Sequence, residues 1–146
     1  MKVIVIGASG TVGRAVEAAL SPRHEVVAAS RRGPVQVDLE DGTSLDALFQ
    51  TVPDADAVVC CAASGPLVGL ETVTDEKFTA GVAAKLLGQV ALARRALRHL
   101  RDGGSITLTG GTFAAPLPDG SLGALVNAGL EGFVRNAASE CSAGCA

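Results

Sequence analysis

The sequence predicts an α/β domain: a parallel sheet of about five strands, doubly wound, with helices covering both faces in three layers. Three observations predict it. Short β-branched apolar runs alternate along the chain with longer segments whose apolar residues recur at helical spacing. The short runs are apolar throughout, as strands covered on both faces are, and do not alternate apolar with polar. The chain has 146 residues, 48% of them hydrophobic, and neither a repeat nor a linker divides it, so residues 1–146 read as a single domain.

The elements follow in order. "KVIVI", from Lys2 to Ile6, is the first strand, stopped by Gly7. "TVGRAVEAAL", from Thr11, carries Val12, Ala15, Val16 and Ala19 at helical spacing, and Pro22 ends that helix. "EVVAA" from Glu25 is the second strand, and "VQV" from Val35 to Val37 is a short third. A helix starts at Thr43 with Thr43 or Ser44 as its cap. "DAVVCCAA" from Asp56 is the fourth strand. A long helical region runs from Asp75 to Leu100, with Val82, Leu86, Val90, Ala93 and Leu97 along one side, and "DGG" ends it. "SITLT" from Ser105 to Thr109 is the fifth strand, "GGTFAAPLPDGS" a loop, and the stretch from Gly123 to Glu140 a last helix.

Composition narrows the function. With no Trp, no Tyr and four Phe, the core is aliphatic. A net charge of −3 offers no concentrated basic face for nucleic acid. The apolar run at Val3 to Ile6 breaks at Gly7, too short for a secretion signal or a membrane helix, so a cytoplasmic protein without a membrane partner is expected. Cys60 and Cys61, neighbours in a strand, face opposite ways. Cys141 and Cys145 have no further ligand nearby, so all four read as small thiols and no metal is expected. His24 and His99 fall near helix ends, where an imidazole meets free carbonyls.

The most informative stretch is "VIVIGASGTVGRAV". Gly7, Gly10 and Gly13 stand three apart between the first strand and the first helix. Such a turn brings backbone close to a pyrophosphate, and the helix N-terminus adds free N–H groups and a partial positive charge. A side chain at Gly10 would block that approach, and one at Gly13 would push the helix off the sheet. The expected phosphate-binding set is Gly7, Ser9, Gly10, Thr11, Val12 and Gly13, with hydroxyl bonds from Ser9 and Thr11. Where a carboxylate at the end of the second strand would take the ribose hydroxyls of NAD, this chain has Ser30, Arg31 and Arg32. Two guanidinium groups and a hydroxyl suit a 2′-phosphate, each charge-assisted bond being worth about 1.5–3 kcal/mol. NADP(H) is therefore the expected cofactor, with Asp38 and Leu39 at its adenine edge.

These residues carry a family resemblance over essentially the whole chain. "GASGTVG", "ASRR" and "VDLED" resemble the nucleotide loop, the NADP-selecting strand end and the adenine-side acid of the short-chain dehydrogenases/reductases. "CCAASG" stands in the place of their Asn-Asn-Ala-Gly, which brings Cys61, Ala62 and Ala63 to the cofactor. "GGSITLTGG" resembles the strand leading to their catalytic Ser, and "ALVNAGLEGFVRNAASE" their catalytic helix. The chain is most similar to small bacterial members. The resemblance implies a Rossmann-like sheet of order 3-2-1-4-5, with the later strands of the family missing.

It also marks departures. The family's proton-donating Tyr, its Lys and its Ser fall here on Gly123, Asn127 and the neighbourhood of Gly110, which Thr109 and Thr112 flank. Lys85 lies close to the place of an active-site Asn. Three substitutes present themselves: Lys85 as proton donor, Thr109 or Thr112 as hydrogen-bond donor to a carbonyl, and Asn127 as holder of the nicotinamide ribose. Family members continue into a sixth strand, a closing turn and a substrate-binding segment, and "ASECSAGCA" matches none of these. The fifth strand is then expected at a sheet edge, in a homodimer or larger assembly formed through the fourth and fifth helices. Two functions fit: an NADPH-dependent oxidoreductase acting on a small carbonyl or alcohol, and a non-catalytic NADP(H)-binding sensor or scaffold.

Overall fold

The computed structural model describes residues 1–62, 65 and 67–140. Strands β1 (Lys2–Ile6), β2 (Glu25–Ser30), β3 (Val35–Gln36), β4 (Ala57–Cys60) and β5 (Ser105–Leu108) form one sheet. Every neighbouring pair is parallel, and the order is β3-β2-β1-β4-β5, as expected. The helices are α1 (Thr11–Leu20), α2 (Gly42–Thr51), α3 (Asp75–Val82), α4 (Gly88–His99) and α5 (Ser121–Glu140). A π-helical turn, Ala83–Leu87, joins α3 to α4.

The β-branched run of β1 lies at the centre because it has two sides to bury. Ile4 and Ile6 face one core with Val58 and Cys60 of β4, Leu45, Leu48 and Phe49 of α2, and Leu92 and Ala96 of α4. Val3 and Val5 face a second core with Ala57, Val16, Leu20 and Cys61. Cys60 and Cys61 thus do point to opposite faces. Removing the Ile4 or Leu48 side chain down to Ala would cost about 2–5 kcal/mol, since both are almost completely buried.

Several local expectations are corrected. The cap of α2 is neither Thr43 nor Ser44 but Asp41, in extended backbone, whose carboxylate accepts the Thr43 N–H at 2.8 Å. Ser44 instead accepts the Asp38 N–H at 2.9 Å. The stripe through Val82, Leu86, Val90, Ala93 and Leu97 is buried only in part: Ala93 is buried and Val82, Leu86 and Val90 are half-buried. In α4 the buried residues are Gly88, Gln89, Leu92, Ala93 and Ala96, while Leu97 is 40% exposed. The physical reason is the π turn: the Gly88 N–H bonds the Ala83 carbonyl, five residues back, and the added residue rotates everything beyond it. His99 stacks on Phe49, ring centroids 5.1 Å apart, in place of meeting a carbonyl. β3 stops at Gln36 and β5 at Leu108, one residue short in each case. Among the described residues no helix is long and apolar enough to cross a membrane. Cys141 and Cys145 lie outside the described residues.

Candidate functional site: a cleft at the ends of β1 and β4

The sheet order reverses between β1 and β4, and the crevice beyond their C-terminal ends is where such sheets bind ligands. Ladder bonding continues into the crevice, with the Gly7 N–H on the Ala29 carbonyl at 2.9 Å and the Cys61 N–H on the Ile6 carbonyl at 2.8 Å. The chain then turns sharply. Gly7 has φ +78°, a conformation that favours glycine. The Gly10 N–H closes the turn on the Gly7 carbonyl at 2.9 Å. Gly13 is buried against that same turn: a Cβ there would run into the Gly7 carbonyl and lie 2.8 Å from Ala8 Cα. A Cβ on Gly10 would meet only the Gly7 oxygen, at 3.2 Å. Gly10 is the N-cap of α1 and brings no side-chain acceptor, so the first-turn amides of Thr11, Val12 and Gly13 have no cap from it. The cradle is therefore free of the Cβ atoms that would fill it, and its amides suit a diphosphate.

The cleft holds about 380 Å³. Ile6, Gly7, Ser9 and Gly10 form its floor. Ser30, nearly buried at the end of β2, and the exposed Arg31 and Arg32 form one end. Val37 to Glu40 form a side wall, braced by the Asp38 carboxylate accepting the Glu40 N–H at 3.0 Å and by Leu39 lying against Gly88. The opposite wall is Cys61 and Ala62 with Ala84 and Lys85 of the π turn. The half-buried Lys85 lies along Gly65, where a Cβ would come within 2.7 Å of its Nζ. Ala63 lies outside the described residues.

The side chains of the other candidate residues do not line this cleft. Thr11 and Val12 are exposed at the start of α1. The Thr109 hydroxyl donates to the Cys60 carbonyl at 2.6 Å, tying the end of β5 to β4. Burial pushes the Cys61 thiol up, while its bond to the Thr109 side chain pulls the other way. Burial pushes Cys60 up to about 11. Both thiols are therefore protonated at neutral pH, and neither is a ready nucleophile. Asn127 accepts the Gly111 N–H at 3.0 Å and lines a second recess of about 510 Å³, with Leu108, Gly110, Gly111, Thr112 and Leu130. Gly123 lies under the ring of Phe113, whose Cζ is 3.1 Å from where a Cβ would stand.

Sequence reasoning missed Ile6, Val37, Glu40 and Ala84 as lining residues. Ile6 and Val37 read as ordinary core, and Ala84 reaches the cleft through a π turn that no periodicity signals. It gave no role to Gln89, which is 1% exposed and bonded to the carbonyls of Lys85 and Thr109.

A family model described as enoyl-(acyl carrier protein) reductase matches residues 7–144. The chain belongs to the short-chain dehydrogenase/reductase superfamily. At family level this short-chain dehydrogenase/reductase is an NAD(P)-binding oxidoreductase. It is similar in structure to the protein lin1944 from Listeria innocua, at 35% identity and a TM-score of 0.94, over 99% of this chain and 74% of that one. A small-chain dehydrogenase superposes with a TM-score of 0.87 at 26% identity, over 97% of this chain and 77% of that one. A small-chain dehydrogenase in complex with NADPH superposes with a TM-score of 0.88 at 26% identity, over 97% of this chain and 65% of that one. Among curated proteins none matches.

Proposed function

We propose that this protein binds NADP(H) in the cleft between β1 and β4 and uses it to interconvert a small carbonyl compound and its alcohol. The observation that carries the reading is the cleft's pair of ends: an uncapped, glycine-lined helix start for the diphosphate and, at the end of β2 and just after it, Ser30, Arg31 and Arg32 for a 2′-phosphate. The NADPH complex of a related dehydrogenase adds support. Bound NADPH supplies a hydride to the carbonyl carbon. The chain's own contribution is to hold the diphosphate, to wall the cleft with Cys61, Ala62 and Ala84, and to offer a proton. Lys85 is our choice for the proton donor: its ammonium gives one proton to the substrate oxygen as the alcohol forms. Thr109 and Asn127 act beside it by fixing the end of β5 and the Gly110–Thr112 loop.

One specific observation favours a second reading. Phe113 occupies the space over Gly123, and the chain has no Tyr, so the usual acid is absent and its place is covered. A non-catalytic NADP(H)-binding sensor accounts for that. Turnover separates the two: NADPH oxidation followed at the nicotinamide absorbance across a panel of small ketones and aldehydes. The oxidoreductase reading expects turnover in the wild type and its loss in Lys85→Met. Tight NADPH binding with no turnover on any substrate leaves the sensor.

A further inference from the structure

We propose that Gln89 is a positioning residue that sets Lys85 and the end of β5 at the reacting end of the cleft. The inference rests on the NADP(H) reading above. Gln89 is 1% exposed, among the buried residues of α4 with Leu92 and Ala96. Its Nε2 donates twice, to the Lys85 carbonyl at 3.0 Å and to the Thr109 carbonyl at 3.3 Å. Its Oε1 is buried and has no partner among the described residues. A leucine would fill a similar volume without burying an unpaired acceptor, so packing alone does not account for an amide here.

What the amide joins gives the reason. Lys85 and Ala84, both lining the cleft, belong to the π turn. The Thr109 hydroxyl already donates to the Cys60 carbonyl, and Cys61, the next residue, lines the same wall as Ala84 and Lys85. One side chain thus ties the turn that carries Lys85 to the end of β5, which Thr109 in turn bonds to Cys60 at the end of β4. Among the described residues no other hydrogen bond joins the π turn to the end of β5. A π turn is a rare local widening of a helix, frequent at functional sites. Beside the backbone bond from Gly88 to Ala83, the Gln89 side chain bonds back into it at Lys85.

The chain contains three lysines, Lys2, Lys77 and Lys85, so amine acylation read by mass spectrometry has internal references. In Gln89→Met without nucleotide, the rate of Lys85 acylation relative to Lys77 should rise at least about threefold below the melting temperature, because the turn no longer holds the side chain against Gly65. With NADPH present, wild-type Lys85 should be protected, while Gln89→Met should bind NADPH about tenfold more weakly, as losing a buried hydrogen-bond pair implies. The preference for NADPH over NADH, set at Arg31 and Arg32, should not change. An unchanged Lys85-to-Lys77 ratio, with only a lower melting temperature, would overturn the proposal. If Gln89→Met does not fold, Gln89→Asn serves: its amide is too short to reach both carbonyls. Wild-type labelling in that variant overturns the proposal equally. Absence of NADPH protection in the wild type counts instead against the cofactor reading, and the nucleotide-free ratio still decides the role of Gln89.

Discussion

Substituting Ala for Gly13 tests the turn on which the cleft is built. The new Cβ would stand 2.7 Å from Gly7 C and 2.8 Å from Ala8 Cα, against the 3.4 Å at which ordinary contact begins, and nearer still to the Gly7 oxygen. Helix α1 must therefore withdraw from β1 by roughly 1 Å. Overpacking of that kind costs about 1–3 kcal/mol. Ala returns about 1 kcal/mol of helix propensity, leaving a net loss of up to about 2 kcal/mol. For a chain of this length that is a fall in melting temperature of up to about 8 °C. The binding effect should be larger, because the withdrawal carries with it the first-turn amides that would hold the diphosphate. We expect NADPH affinity to drop more than about tenfold, the equivalent of one charge-assisted bond. Urea unfolding gives the first quantity and calorimetric titration the second. A Gly13→Ala protein that melts with the wild type and binds NADPH equally well would refute the reasoning.

Three further outcomes follow from the same geometry. Arg31→Ala and Arg32→Ala should each weaken NADPH by about tenfold or less, since both guanidinium groups are exposed, and leave NADH untouched; equal losses for the two nucleotides would place the adenosine phosphate elsewhere. Asn127→Ala should cost about 0.5–1.5 kcal/mol and speed hydrogen exchange at the Gly111 amide, the donor it leaves behind; unchanged exchange there would deny the contact. Cys60 is held protonated by burial, with its folded pKa raised from about 9 to about 11. Its contribution is thus whole below pH 9 and lost as pH rises through 11, about 2–3 kcal/mol in all. The difference in urea midpoint between wild type and Cys60→Ala should shrink across that window, and a constant difference would contradict the assignment.

Much of the lining of the candidate cleft was legible in the sequence, and for physical reasons. A β-branched run such as Val3 to Ile6 has few conformations other than strand, and glycines three apart after it have a steric purpose. Arg31 and Arg32 stand out because charged residues at the end of a buried strand must serve something. The other wall was not legible. An added residue in a π turn leaves no compositional mark, so the periodicity through Val82 and Leu97 runs out of phase and hides both Ala84 and Gln89. Asp41, Thr43 and Ser44 are all capping types within four positions, and only the path of the chain from Asp38 decides among them. That Phe113 covers Gly123, and that Asn127 is engaged by Gly111, depends on how a loop rich in Gly and Pro folds back. Local sequence does not encode that return.

The central claim is that backbone amides at the start of α1, with Arg31 and Arg32, select NADP(H). Calorimetric titration of the purified protein with NADPH and with NADH tests it most directly. The account predicts saturable binding of one NADPH per chain, at least about tenfold tighter than NADH, as one added charge-assisted contact requires. No measurable heat with either nucleotide, or equal affinity for both, would contradict it.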